Sequence, residues 1–188
     1  GGAITTNNKK LSNRIKLLRE NGIHSIKSKF KNLPYYPNYY EQVDSGFNFR
    51  MSEISAALVN SQLKKLNFFV NKRNQIAKTY LKLIKNPKFI FQENSIDAKS
   101  SYHLFVVKLT SQNRNQYLKI FKIFNKNKIF INLHYKALHL NPFFEEMGFK
   151  KGQFPISENY SYTAFSIPIF VGLAEKNIKK IISILNNF

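Results

Sequence analysis

Apolar and polar positions follow two different periods along this 188-residue chain, helical in the first half and mixed in the second. Leu11, Ile15 and Leu18 recur at helical spacing. They lie between Asn7-Asn8, suited to a cap, and Asn21-Gly22, suited to a stop, so the pattern predicts a helix from about Lys9 to Glu20. The short Ile4-Thr5-Thr6 before it has the composition of a strand. Residues 23 to 47 show no period and carry Pro34, Pro37, Gly46 and the tyrosines Tyr35, Tyr36, Tyr39 and Tyr40. A connector of that length in a compact domain is expected to serve a function. Ser52 then caps a second helix with Ile54, Ala57, Leu58 and Leu63 towards one side, and the period resumes through Ile76, Ala77, Tyr80, Leu81 and Ile84. The interruption near Lys65 to Asn67 predicts a kink or two helices end to end.

Beyond Asn86-Pro87 the pattern shortens. Strands are expected at Phe89 to Gln92 and Tyr102 to Leu109, then a helix from about Arg114 to Asn125 and a strand at Ile129 to Asn132. Helical turns around Phe143 to Met147 and Ser157 to Tyr162, an apolar segment Phe165 to Phe170 and a last helix from Ala174 to Leu185 complete an α/β unit. No internal repeat and no low-complexity tract interrupts it.

Composition narrows the classes. At 43% hydrophobic and 15% aromatic the chain can build a core, which excludes intrinsic disorder. It has no run long enough for a membrane-spanning helix and no basic-then-apolar leader, so the expected address is the cytoplasm. The absence of cysteine excludes disulfide scaffolds, thiolate zinc sites and cysteine nucleophiles. The opening Gly1-Gly2-Ala3, without an initiator methionine, is expected of a piece of a longer protein. A net charge of +20 ordinarily suggests nucleic acid, yet only five of the 30 cations are arginine, the residue suited to bidentate phosphate and base contacts. The lysines are spread evenly among many Asn, Ile and Phe, as codon choice in an AT-rich genome produces. The nearest thing to a patch, Lys27, Lys29 and Lys31, has the form of a solvated edge.

Candidate chemistry is sparse. His134 and His139 stand five apart just after an expected strand, where α/β proteins place binding groups. With no thiolate, and no carboxylate within eight residues on the N-terminal side, the pair does not make a metal site. A polar contact from histidine, Tyr135 and Lys136 to an anionic ligand is the better reading; the alternative is a His134 satisfied against backbone. The one adjacent carboxylate pair, Glu145-Glu146, falls on an expected surface helix, and the chain holds no Walker loop, no Gly-x-Gly-x-x-Gly and no Gly-x-Ser-x-Gly elbow.

The segment from Tyr39 to Leu58, Tyr-Tyr-Glu-Gln-Val-Asp-Ser-Gly-Phe-Asn-Phe-Arg-Met-Ser-Glu-Ile-Ser-Ala-Ala-Leu, resembles the signature of the DegT/DnrJ/EryC1/StrS sugar aminotransferases. The resemblance continues, in the family's order, through Gln62 to Leu66, Lys72-Arg73, Tyr102 to Phe105, His134-Tyr135, Gly152-x-Phe154-Pro155 with Glu158, and Ile167-Pro168. It implies an α/β fold that is the C-terminal part of a fold type I transferase dependent on pyridoxal 5′-phosphate (PLP). Residues 1–66 would end the large PLP-binding domain, and residues 67–188 would form an interdomain helix and the small C-terminal domain. The implied enzyme is a homodimer with shared active sites that moves an amino group from glutamate to a nucleotide-linked sugar. The approach to the signature is most similar to the branch acting on UDP-linked 4-keto-6-deoxy hexosamines, on the route to surface polysaccharide or nonulosonic acids. Neither nucleic acid nor membrane is then an expected partner, and no metal is.

By the same resemblance, Asn48 matches the asparagine that reaches the cofactor phosphate of the other subunit. Asn132, Leu133, His134, Tyr135 and Lys136 match the loop that contacts the nucleotide sugar. Arg50 belongs to the motif as either a cross-subunit anion contact or a buried ion pair shaping the loop, the second being preferred. Ala137 and Asn38 depart from the family, which commonly has proline and an aromatic there. The lysine that bonds the cofactor lies a few residues before the Gly-Gly in the family, so none of the 25 lysines here takes that role and the chain alone is expected to be inactive. Two other readings stay open: a basic nucleic-acid module whose tyrosines at 35–40 stack on bases, and a truncated, inactive relative retaining only dimerisation.

Overall fold

The computed structural model describes residues 2–24, 31, 37–95 and 97–188. Lys27, Lys29, Pro34, Tyr35 and Tyr36 therefore lie outside the described residues. The chain forms two compact units, residues 1–64 and 65–188.

In the first unit, α1 (Lys9–Arg19) starts at Asn8, whose side-chain oxygen accepts the Leu11 N–H at 3.0 Å. It stops at Asn21 and Gly22, both in the left-handed region with φ of 59° and 69°. Strands β1 (Ile23–His24) and β2 (Glu41–Gln42) pair antiparallel. Helix α2 (Glu53–Leu63) is capped by Ser52, whose hydroxyl oxygen accepts the Ser55 N–H at 3.3 Å. The strand expected at Ile4-Thr5-Thr6 is absent: these residues are exposed and irregular, and no described segment pairs with them. β-branched residues favour a strand only where a neighbour supplies the ladder. Neither α1 nor α2 buries a residue within this unit, and Ile54, Leu58 and Leu63 stand open.

The second unit is built on a four-stranded antiparallel sheet in the order β3-β4-β6-β5, with β3 Phe89–Phe91, β4 Phe105–Leu109, β5 Asn132–Leu133 and β6 Ala164–Ile167. Around it lie α3 (Leu66–Leu83), α4 (Arg114–Lys126), α5 (Pro142–Glu146), α6 (Pro155–Thr163) and α7 (Glu175–Asn186). The interruption after Leu63 is a two-residue turn between separate helices. One core gathers Ile76, Ala77 and Tyr80 of α3, Tyr117, Ile120 and Phe124 of α4, and Ile178, Ile181, Ile182 and Leu185 of α7. Each set repeats every three or four residues, the spacing that puts side chains on one helix face. Along β4, Phe105, Val107 and Leu109 are buried in alternation, while all four residues of central β6 are buried. Tyr80 and Tyr117 enter this core and donate their hydroxyls to the carbonyls of Pro168 (2.8 Å) and Ala164 (3.0 Å).

Two strands differ from expectation. β4 begins at Phe105 and not Tyr102, because Tyr102 has φ of 43°, outside extended backbone. The strand expected at Ile129 to Asn132 is displaced: the ladder forms at Asn132 and Leu133, opposite Ser166 and Phe165.

Candidate functional site

The signature segment is clamped onto the end of α1. Phe47 donates its N–H to the Leu18 carbonyl (2.7 Å), Asn21 to Phe47 (3.0 Å), Phe49 to Arg19 (3.1 Å) and Val43 to Gly22 (2.9 Å). This approach needs two glycines: a Cβ on Gly46 would sit 2.3 Å from the Gly22 nitrogen, and one on Gly22 would sit 2.0 Å from the Asp44 carbonyl oxygen. Arg14 pairs with Asp44, and the Gln42 amide donates to the carbonyls of Asn21 (3.2 Å) and Asp44 (3.3 Å). Asn48 is thereby held at the surface, bridged through its backbone to Glu20 and flanked by the exposed, stacked rings of Phe47 and Phe49, 4.8 Å apart. Its side-chain amide has no hydrogen-bond partner among the described residues. Arg50 forms an ion pair, with Nε 2.9 Å from Glu20 Oε2, but its side chain is 57% exposed. Among the described residues the pair is exposed where burial was expected, because α1 contributes no buried layer for the guanidinium to enter.

In the second unit, β5 and the residues after it carry the other expected strip. Asn132 and Leu133 are exposed on the edge strand, and Tyr135 and Lys136 are exposed beyond it. His134 is half-buried. Its Nδ1 lies 3.3 Å from the Ser166 hydroxyl, its ring stacks on Tyr135 at 4.2 Å, and its Nε2 is shut from solvent with no partner among the described residues. Among the described residues the ring of His134 meets the Ser166 side chain and no backbone group, unlike the alternative of a His134 satisfied against backbone.

His139 does not join His134. It is buried, with Nε2 2.9 Å from Glu158 Oε1, which also accepts the Gly152 N–H at 2.6 Å. The bond from His139 chiefly holds the Glu158 carboxyl below its ordinary value of 4.5, aided by the N–H groups of Gly152 and Phe154 and opposed by burial. A folded-state value below the unfolded one contributes stability fully above about pH 4.5, and that contribution fades as pH falls through the folded value. Glu158→Gln should accordingly be less stable than the parent near neutrality, with the gap closing on acidification in paired urea melts. A gap that widens in acid contradicts the assignment. Sequence reasoning placed Glu158 in a motif without a partner; the carboxylate reaches His139 from 19 residues further on.

Among the described residues no group of three or more His, Cys, Asp or Glu is arranged to hold a metal ion, and no helix is long and apolar enough to cross a membrane.

The architecture of both units is that of the sugar aminotransferases. PseC of Helicobacter pylori, an aminotransferase involved in the biosynthesis of pseudoaminic acid, superposes with a TM-score of 0.80 at 27% identity, over 97% of this chain and 47% of PseC. Spr1654 of Streptococcus pneumoniae in its PLP form shares the fold with a TM-score of 0.82 at 18% identity, over 99% of this chain and 45% of Spr1654. The chain belongs to the DegT/DnrJ/EryC1/StrS aminotransferase family, whose model matches residues 1–186. It is 30% identical to the UDP-4-amino-4,6-dideoxy-N-acetyl-beta-L-altrosamine transaminase of H. pylori, across 100% of this chain and 48% of that protein. It is equally 30% identical to the dTDP-3-amino-3,6-dideoxy-alpha-D-galactopyranose transaminase of Aneurinibacillus thermoaerophilus, across 100% of this chain and 47% of that one. The chain spans about half the length of the curated relatives it matches.

Proposed function

We propose that this chain is the C-terminal part of a PLP-dependent aminotransferase that passes an amino group from glutamate to a nucleotide-linked 4-keto-6-deoxy sugar of the UDP-hexosamine type. Residues 1–66 end its large domain and residues 67–188 form its small one. The observation that carries this reading is the strip after β5, where the half-buried ring of His134 lies next to an exposed phenol and an exposed ammonium in a member of this family. Such a strip supplies hydrogen bonds and positive charge to a sugar diphosphate.

The chemistry of Asn48 fits the cofactor: an exposed amide without an internal partner, on a clamped loop, donates readily to a phosphate dianion. PLP, when bound, supplies the electron sink that lets a proton leave the substrate carbon. Asn48 anchors the phosphate in the neighbouring subunit, Arg50 and Glu20 shape the loop that presents it, and Asn132 to Lys136 orient the nucleotide sugar. None of the 25 lysines is assigned as the cofactor lysine, which by family resemblance precedes Gly1.

The full-length protein, given glutamate and UDP-linked 4-keto-6-deoxy sugars, should release one 2-oxoglutarate per amino sugar formed. Release of 2-oxoglutarate without amino sugar from any nucleotide-linked keto sugar refutes the acceptor class. Asn48→Ala should weaken cofactor retention roughly tenfold, the effect of losing about one hydrogen bond to a charged group. Mixing it with a variant lacking the cofactor lysine should restore one site in part of the dimers, measured by bound cofactor per dimer. Unchanged retention in the Asn48→Ala homodimer rejects the assignment.

A further inference from the structure

The strip that follows β5 is held at both ends by one continuous stretch of chain. At its near end, Leu133 pairs with Phe165 in the β5–β6 ladder. At its far end, His139 in the 3-10 turn Leu138–Leu140 places Nε2 2.9 Å from Glu158 Oε1, and Glu158 lies on α6, which runs straight into β6. Both members of the pair are buried, the Gly152 and Phe154 N–H groups also face the carboxylate, and the His139 ring meets the Phe154 ring edge-on at 4.8 Å. Between the two anchors the N–H groups of Tyr135, Lys136 and Ala137 have no hydrogen-bond partner among the described residues, so no ladder sets their path. A segment as long as residues 134–138, freed at one end, could reach about 17 Å, far beyond what a hydrogen bond tolerates.

Stability alone does not call for such a pair. Polar groups taken out of water regain only part of the loss from each other, and an apolar pair of similar volume is often as stable. A directional bond adds something else: it fixes where the turn sits against α6.

We propose that His139 and Glu158 are positioning residues: their bond fixes the far end of the strip against the segment that already holds its near end, and so sets where the Tyr135 hydroxyl and the Lys136 ammonium meet the nucleotide sugar. The proposal rests on residues 132–136 being the sugar-nucleotide loop. Neither His139 nor Glu158 touches the sugar; both act through the strip.

The test uses full-length protein carrying 3-fluorotyrosine, with the Tyr135 signal assigned by its loss in Tyr135→Phe. The stack on His134 at 4.2 Å makes that signal a report of the strip's geometry. Removing one partner strands the other in the interior, so the decisive variant combines His139→Leu with Glu158→Met, which removes both polar groups at similar volume. Its melting temperature should stay near the parental one, its Tyr135 signal should move or broaden, and its KM for the nucleotide sugar should rise about tenfold, the effect of one charge-assisted hydrogen bond lost from a displaced strip. Amino-group uptake from glutamate should continue at close to the parental rate. His139→Gln alone, which keeps an N–H donor for Glu158, should retain the Tyr135 signal and most of the sugar affinity. A folded double variant with the parental Tyr135 signal overturns the proposal, because the strip then holds itself. So does a moved signal with an unchanged sugar KM when His134→Ala raises that KM; the loop then remains the sugar site and only the role of the pair falls. If His134→Ala also leaves the sugar KM unchanged, the loop reading fails, and this proposal with it. Loss of both half-reactions together, or a double variant that no longer folds, makes the pair a support of the cofactor pocket or of the fold and likewise overturns the proposal.

Discussion

Gly46→Val should detach the signature segment from α1 and cost the protein both local order and its hold on the cofactor. The new Cβ would lie 2.3 Å from the Gly22 nitrogen, 2.6 Å from the Asn21 carbonyl carbon and 2.8 Å from the Leu18 oxygen. All three are backbone atoms at the end of a helix, so no side-chain rotation relieves the overlap. The four hydrogen bonds that Val43, Phe47 and Phe49 exchange with Gly22, Leu18, Asn21 and Arg19 are the contacts that must open. At about 1 kcal/mol net for each, their loss is on the order of 4 kcal/mol, a large share of the roughly 5 to 15 kcal/mol that keeps a domain folded. Hydrogen exchange at the Phe47 and Phe49 amides should rise towards the unprotected rate, and cofactor retention should fall at least as far as in Asn48→Ala, because Asn48 sits between those two amides. Ser45→Ala, one residue away on the exposed side, should change neither. Retained protection at both amides in Gly46→Val would show that the clamp does not depend on the glycine contact.

The same clamp illustrates what a sequence discloses and what it hides. The signature makes Asn48 and Arg50 candidate residues, but nothing in residues 39–58 says that Gly46 must lie against Gly22, because that contact joins positions 24 apart through backbone alone. Arg50 was expected to pair, and it does, yet its exposure follows from α1 burying nothing, which an amphipathic pattern does not foretell. A pair that exposed contributes little stability. In the second unit, α4 and α7 were legible to within about one residue at each end, because Tyr117, Ile120 and Phe124, and Ile178, Ile181 and Leu185, repeat at helical spacing. β5 was not. Ile129 and Ile131 turn inward and Phe130 outward at 80% exposure, which mimics a strand, but alternation reports which side is buried and not which residues find a ladder partner. Ser166 escaped notice for a related reason. A single hydroxyl within Phe165-Ser166-Ile167 acquires meaning only once the β5–β6 register brings His134 to it.

His134→Ala and Tyr135→Phe should each raise the KM for the keto sugar while amino-group uptake from glutamate continues at close to the parental rate. The two residues lie beyond β5 with their rings stacked at 4.2 Å, and Tyr135 is 69% exposed, so its hydroxyl is free to meet a ligand. Glutamate is too short to require a strip that also carries the Lys136 ammonium. Losing one hydrogen bond to a charged or polar substrate group costs about 1.5 to 3 kcal/mol, roughly tenfold to a hundredfold in apparent affinity. Because the rings touch, the two losses are expected to be non-additive: the double variant should fall short of the product of the single effects, as coupled neighbours do. Single-turnover measurements with each substrate separate the half-reactions, and thermal melts of the variants report whether the fold is intact. If both half-reactions fall together in well-folded variants, His134 and Tyr135 support the cofactor pocket and not the sugar. If neither falls, the nucleotide sugar binds elsewhere.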